Sequence, residues 1–216
     1  MAMSADEPFA LLDFMQITDR SFPTGSFVHS AGLEWLVKGS SVGLESVIRM
    51  RTDEQLAHFE LPYLLAALDR PPAPLDARYH AMLMPREARE ASVQVGRQLL
   101  ANVSALFPDR TDVGSLPHGH HPIAFGVVAR TIGIPPREAA LAYAFQVVRG
   151  QVSAAQRLTR LGQSEAQRLI HRSKPWIEAA VATARAWPIE NAVAFAPLLD
   201  IASMTHERSD VRLFVS

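Results

Sequence analysis

Three histidines lie within four residues in the segment His118-Gly-His120-His121. Neutral imidazole is a good ligand for nickel or zinc, so the segment indicates either a metal site or a polar loop before a helix that begins near His121. No carboxylate or thiolate stands immediately beside it to complete a site. A metal-dependent enzyme that uses these three residues and His206 is therefore one open interpretation.

A second histidine motif, His206-Glu207, invites comparison with zinc proteases. Those enzymes need His-Glu-x-x-His, which places two imidazoles on one helix face with the glutamate as the base. Here the position three residues after Glu207 is Asp210, so the second ligand is missing. The motif therefore indicates the charged end of a helix, paired locally or with a partner protein.

The loop from Ser21 to Ser30 contains Ser26 and His29, a pair that could serve a hydrolase. The G-x-S-x-G nucleophile elbow and its strand–turn–helix setting are both absent. A turn at Gly25 followed by a helix capped by Ser30 explains the same residues without catalysis.

No Gly-rich phosphate loop occurs in the sequence, so we expect the chain to bind no nucleotide of its own. Arginines do recur along two consecutive predicted helices. Such a string is typical of a solvated face, and it could also dock an acidic partner. The residues concerned are Arg149, Arg157, Arg160, Arg168 and Arg172.

Composition excludes several classes of protein. The formal net charge is −1, which argues against a nucleic-acid binder. There is no cysteine, so disulfides, zinc–thiolate sites and cysteine nucleophiles are excluded. We expect no signal peptide and no membrane span, because the first eight residues are polar and acidic and no apolar run is long enough. A cytoplasmic protein without a cofactor is the expectation.

The pattern predicts helix almost throughout, and alternation typical of strands is nearly absent. The clearest helix follows Pro135 and Pro136, where apolar residues recur every three or four positions. We predict an all-α protein with one compact domain of about eight to ten helices over residues 1–216, with a flexible N-terminus at 1–8. The periodic residues are Leu141, Phe145, Val148, Val152, Ala155 and Leu158.

Prolines and glycines set the predicted helix ends. Pro62 should kink or break a long helix over residues 44–68, and Gly133 should end another in a left-handed cap. Ser164 with Gln167 fits a capping box, and Ser173 with Pro175 fits the start of a further helix.

The last residues of the chain are apolar, although a free end usually faces water. Val211, Leu213, Phe214 and Val215 follow a polar stretch. Apolar side chains gain free energy when another surface covers them, so this end either folds back on its own domain or docks on another protein. We call residues 207–216 the tail.

Four blocks in the same order, from residue 19 to 216, resemble the UreF family of urease accessory proteins and together cover nearly the whole chain. The first block lies in the first loop, the second ends at Pro135, the third begins at Arg157, and the fourth ends the sequence. They read Ser21-Phe-Pro-Thr-Gly-Ser-Phe-Val-His-Ser-Ala-Gly-Leu-Glu34, His121-Pro-Ile-Ala-Phe-Gly-Val-Val-Ala-Arg-Thr-Ile-Gly-Ile-Pro135, Arg157-Leu-Thr-Arg-Leu-Gly-Gln-Ser-Glu-Ala-Gln167 and Asp200-Ile-Ala-Ser-Met-Thr-His-Glu-Arg-Ser-Asp-Val-Arg-Leu-Phe-Val-Ser216.

This resemblance implies a helical, dimeric and non-catalytic assembly factor. Proteins of the family join a UreD/UreH accessory protein and the GTPase UreG in a complex that inserts nickel into apo-urease. The family's tail is thought to become ordered on the UreD/UreH partner, which agrees with the apolar end of this chain. A helical adaptor with a different client is a further alternative. The expected partner-binding residues are His206, Glu207, Arg208, Arg212, Leu213 and Phe214.

Overall fold

The computed structural model describes residues 10–25, 42–108 and 116–206, together with Leu33 and Trp35. Every regular element in these ranges is helical, so the all-α prediction is confirmed for them. The helices are α1 (Ala10–Thr18), α2 (residues 44–67), α3 (Pro72–Met82), α4 (Arg86–Leu106), α5 (His121–Thr131), α6 (Pro136–Leu158), α7 (Gln163–Ala186) and α8 (Pro197–His206).

Helix α2 changes its winding twice. Leu44–Met50 is α-helical, Arg51–Glu60 is π-helical, and Leu61–Ala67 is α-helical again. Of the kink or break predicted at Pro62, the break is wrong, because the helix continues through Pro62, which stands in the first turn of the last part. The missing N–H of the proline thus falls where the hydrogen-bond spacing changes.

Three other predicted helix ends can be compared with the structure. Gly133 has φ 77°, which confirms the left-handed end after α5. The predicted capping box is wrong, because α7 begins at Gln163 and its N-cap residue Gly162 makes no side-chain capping bond. The separate helix predicted at Pro175 is also wrong, because this proline lies inside α7.

Helix α7 continues through Pro175 because its buried face continues on both sides. Leu169 and Ile170 precede the proline on that face, and Ile177 and Val181 follow it. An interior proline costs about 3 kcal/mol, whereas burial of each large aliphatic side chain contributes about 1.5–3 kcal/mol. Packing therefore outweighs the local preference for a break.

The main core surrounds α5, in which residues 122–129 are all buried. Helices α1, α2, α4, α6 and α7 each contribute side chains to it, among them Ile17, Ile48, Leu99, Val148 and Ile177. The periodic face predicted for α6 is confirmed, because Val148, Val152 and Ala155 are buried. No helix among the described residues combines the length and the apolar character that a membrane span requires.

Candidate functional site

The histidine segment forms a loop that the carboxylate of Asp76 holds in place. Asp76 is fully buried and accepts hydrogen bonds from the backbone N–H groups of His118, Gly119 and His120, at 2.6, 2.9 and 2.8 Å. Gly96 of α4 lies directly under this loop, and a Cβ at Gly96 would overlap the carbonyl oxygen of Gly119. These hydrogen bonds and the close contact at Gly96 therefore fix the position of the loop against α3 and α4.

The ring nitrogens of His120 both have partners within the chain. Its Nε2 lies 3.0 Å from Nδ1 of His80, and its Nδ1 lies 3.1 Å from Oγ of Ser92. The ring of His118 stacks on that of His80, with centroids 3.7 Å apart. Within the described residues no group of three or more His, Asp or Glu side chains is arranged to hold a metal ion. The metal interpretation of His118, His120 and His121 thus has no support in this geometry.

Burial disfavours the charged forms of His120 and His121. Burial lowers the pKa of His120 from 6.5 to about 4, with His80 and His118 acting in the same direction and Asp76 opposing. Burial also lowers the pKa of His121 to about 4. The ring of His121 lies between Phe125 and Tyr143, at centroid distances of 6.2 and 5.0 Å. Both residues therefore stay neutral at pH 7.

We predict that the chain loses stability in mild acid. The pKa of His120 is near 4 in the folded chain and near 6.5 in the unfolded chain. The free energy of unfolding therefore has its full value above pH 6.5 and decreases as the pH falls towards 4. The loss for His120 is about 2–3 kcal/mol. Urea unfolding at pH 7.5, 6.5, 5.5 and 4.5, chosen to bracket both pKa values, would measure it. His120→Gln should flatten the pH dependence, and exposed His171→Gln should not; identical slopes in both variants would contradict the assignment.

A buried polar cluster lies at the π-helical part of α2. Arg51 donates to Gln55 and to Glu60, each at 2.9 Å, and Tyr143 of α6 donates to Glu60 at 2.7 Å. The side chains of Arg51 and Glu60 are only 13% and 5% exposed. Burial, and next the charge of Glu60, raise the pKa of Tyr143 well above its usual range, so the hydroxyl keeps its proton.

The π winding is what brings the two charges together. Arg51 and Glu60 are nine residues apart. In an α-helix, with about 3.6 residues per turn, such residues lie on opposite faces. A π-helix bonds residue i to i+5 and holds roughly 4.4 residues per turn, so nine residues make about two whole turns. Sequence analysis missed this pair, because periodicity does not reveal a local change of winding.

An exposed apolar surface lies at the C-terminal end of the described chain. In the extended segment before α8, Ala192 and Ala196 are buried, whereas Val193 and Phe195 are 45% and 72% exposed. On α8, Leu199 and Ala202 pack on the core, whereas Ile201 and Met204 are 53% and 40% exposed. We call Val193, Phe195, Ile201 and Met204 the C-terminal surface. Its only signal in the sequence is the alternation of alanine with larger apolar residues over residues 192–196.

The C-terminal surface leads directly into the residues predicted to bind a partner. His206 is the last residue of α8. The other predicted residues, Glu207, Arg208, Arg212, Leu213 and Phe214, lie outside the described part of the chain, as do Ser26 and His29. Partner binding by these residues stays a prediction.

The arginine string is partly used within the chain. Arg149 donates to the carbonyl oxygen of Thr18 at 3.1 Å, and Arg168 pairs with Glu165 at 2.8 Å. Arg172 lies 3.3 Å from Glu45 and 3.2 Å from Glu165. These contacts join α6 to α1 and α7 to α2, so part of the string serves the fold.

Comparison with known proteins decides the family. The UreF family model matches residues 40–174. The chain belongs to the UreF family. It is 34% identical over 229 residues to the urease accessory protein UreF of Paenarthrobacter aurescens (strain TC1), which covers 99% of this chain and all of the relative.

Two further relatives show the breadth of this UreF likeness. The urease accessory protein UreF of Arthrobacter sp. (strain FB24) is 34% identical over 219 residues, covering 95% of this chain and 96% of the relative. The urease accessory protein F of Oryza sativa subsp. indica is 30% identical over 215 residues, covering 92% of this chain and 82% of the relative. The UreF resemblance recognised in the sequence is thereby confirmed.

Proposed function

We propose that this chain is a non-catalytic scaffold of urease maturation. It joins a UreD/UreH-like accessory protein and a UreG-like GTPase, and the complex inserts nickel into apo-urease in the cytoplasm. The observation that carries the proposal is the UreF likeness over nearly the whole chain. The C-terminal surface supports it, because exposed apolar side chains shortly before a tail that carries further apolar residues are typical of a protein-binding region.

A scaffold also fits the chemistry of the described residues. Two of the histidines that sequence alone made candidates, His118 and His120, instead contact His80 and Ser92, in the loop that packs against α3 and α4. In this proposal nickel is cargo of the complex, and the GTPase supplies the energy of its transfer. The alternatives differ in what the isolated chain does. A histidine-based enzyme turns over substrate without partners, and an adaptor with another client leaves urease unaffected.

Reconstitution tests the proposed function. Apo-urease, nickel, GTP, the UreD/UreH-like protein and the UreG-like GTPase are combined with and without this chain. We expect urease activity only in the complete mixture, and a stable complex of this chain with both partners in size-exclusion chromatography. Equal activity without the chain would contradict the proposal, and so would substrate turnover by the chain alone.

We also propose a homodimer, formed through the exposed face of α1. Leu11, Leu12 and Met15 are 53%, 59% and 60% exposed on this helix, while Ala10 and Ile17 are buried. A two-fold symmetric contact places the same patch on both subunits. An uncharged apolar patch meets its own copy without like-charge repulsion, so it suits such a contact.

The variant Met15→Asp should weaken the dimer at least tenfold, because it places two carboxylates in the symmetric contact. Met84→Asp is the matched control, since Met84 is 62% exposed and lies outside α1. Size-exclusion chromatography with light scattering over a dilution series measures the dissociation constant. A dimer equally stable in both variants would exclude this face.

A further inference from the structure

Residues 192–196 form an extended segment that ends where α8 begins. No turn or bend interrupts it, and at its start Ala192 has φ −69° and ψ 116°. The first and last side chains of the segment are buried. Ala192 lies in an apolar cluster with Phe59 of α2, and Ala196 lies in another with Val47 of α2. These contacts hold the segment against α2 in an extended conformation.

The side chains of the extended segment alternate between these clusters and the solvent. Successive side chains of a strand point to opposite faces, so Val193 and Phe195 share the face that points away from Ala192 and Ala196. Val193 and Phe195 are 45% and 72% exposed. Two large apolar side chains on the outer face of an extended chain are suited to pack against the side chains of a second strand.

The backbone of the extended segment bonds within the chain at both ends. The N–H of Ala192 donates to the carbonyl oxygen of Ile189 at 3.1 Å, and the carbonyl oxygen of Ala196 accepts from the N–H of Asp200 at 2.9 Å. In a strand the N–H and C=O of one residue point to the same edge, and those of the next residue point to the other edge. Ala192 and Ala196 therefore belong to the same edge of the segment.

The opposite edge is formed by Val193 and Phe195. Within the part of the chain that the structure describes, no hydrogen bond reaches the backbone N–H or C=O of either residue. Residues 192–196 also carry no charge and no proline, which are the usual means of protecting an exposed strand edge, and Pro188 and Pro197 lie outside the segment. The edge is therefore open to another strand.

The chemistry of this edge selects an extended occupant. A helix uses its backbone N–H and C=O groups internally except at its ends, so its side cannot pair with the backbone of Val193 and Phe195. The edge strand of another sheet offers both groups at the matching spacing. Its side chains opposite Val193 and Phe195 should be apolar and uncharged, because neighbouring side chains on paired strands pack against each other.

We propose that the UreD/UreH-like partner binds by β-strand addition, with an edge strand of its own sheet paired to Val193 and Phe195. This inference rests on the proposed function and specifies how that partner is held. Only the ten residues of α8, about 15 Å in length, separate the extended segment from the tail. A partner that binds the tail is therefore within reach of the open edge, and the exposed side chains of the C-terminal surface extend the same contact.

Variants at Val193 separate backbone pairing from side-chain contact. Val193→Pro removes one N–H from the edge and keeps an apolar side chain, and Ala192 already has the extended conformation that a following proline requires. Val193→Ala keeps the N–H and loses most of the side chain. We expect Val193→Pro to weaken binding of the UreD/UreH-like protein about tenfold in biolayer interferometry, and more than Val193→Ala does. Contact through side chains alone would give the opposite order, which would overturn the proposal. Circular dichroism of each free variant verifies that binding is compared between folded chains.

Amide hydrogen exchange, resolved by NMR for the full chain alone and in its complex with the UreD/UreH-like protein, tests the pairing directly. We expect the N–H groups of Val193 and Phe195 to exchange at least a hundredfold more slowly in the complex. The N–H of Ala194 points to the other edge and should change much less. A complex in which Val193 and Phe195 exchange as fast as in the free chain would refute this inference alone, whereas the absence of any complex would refute the proposed function.

The free chain distinguishes the other possible occupants of the edge. Slow exchange at Val193 and Phe195 in the free chain that disappears when residues 207–216 are deleted would show that the chain's own tail pairs with the edge. Slow exchange that increases with the concentration of the free chain would show that a second copy does so. Either result would overturn the assignment of the edge to the partner.

Discussion

A chain that ends at Val211 should lose most of its affinity for the UreD/UreH-like partner. The deletion removes Leu213 and Phe214, whose burial contributes about 1.5–3 kcal/mol each before the cost of ordering the tail. A net loss of about 3 kcal/mol lowers affinity more than a hundredfold. Biolayer interferometry with the immobilised partner would measure it, and undiminished binding of the truncated chain would refute the role of the tail.

The same experiment can test the C-terminal surface without shortening the chain. Phe195 is 72% exposed, so Phe195→Asp should leave the free protein folded while placing a charge in the apolar contact. We expect at least tenfold weaker partner binding for Phe195→Asp and little change for Met84→Asp, which alters a comparably exposed residue elsewhere. Equal binding by the two variants would remove the C-terminal surface from the interface and leave the tail alone.

Sequence patterns predicted the helices well because apolar periodicity reports directly which faces are buried. Helix α6 illustrates this, since Val148, Val152 and Ala155 were predicted as a face and are buried. The prolines were harder to interpret. Pro62 and Pro175 both lie within continuous helices. The missing N–H of Pro62 falls where the hydrogen-bond spacing changes, whereas at Pro175 burial on either side outweighs the lost backbone hydrogen bond.

The polar parts of the molecule were less accessible to prediction because they depend on contacts between distant residues. Asp76 organises a loop that begins 42 residues later in the chain, and Tyr143 reaches Glu60 across 83 residues. No local pattern reports such pairings. The histidine motif was visible in the sequence, but its structural role became clear only from the buried carboxylate beneath it.

The buried pair of Arg51 and Glu60 should be the most sensitive polar contact in the described fold. Glu60→Ala leaves the Arg51 guanidinium buried without its carboxylate and removes the acceptor of Tyr143. Breaking a buried ion pair from one side costs about 3–5 kcal/mol, a large part of the total stability of about 5–15 kcal/mol. Urea unfolding followed by circular dichroism should therefore show a much lower midpoint, or no folded baseline.

An exposed pair provides the matched control. Arg137 and Glu178 join α6 to α7 at 2.9 Å, but their side chains are 47% and 54% exposed. Water screens such a pair, so Glu178→Ala should cost less than about 1 kcal/mol. Equal losses in Glu60→Ala and Glu178→Ala would contradict the importance of burial.

Glu60→Ala combines two costs, an unpaired buried Arg51 and a lost acceptor for Tyr143. The double variant Arg51→Met/Glu60→Leu removes the first cost and keeps the second. With both charges gone, no ion remains buried without a partner, so stability should recover most of what Glu60→Ala loses. A double variant as unstable as Glu60→Ala would show instead that the lost Tyr143 contact dominates the energetics of the cluster.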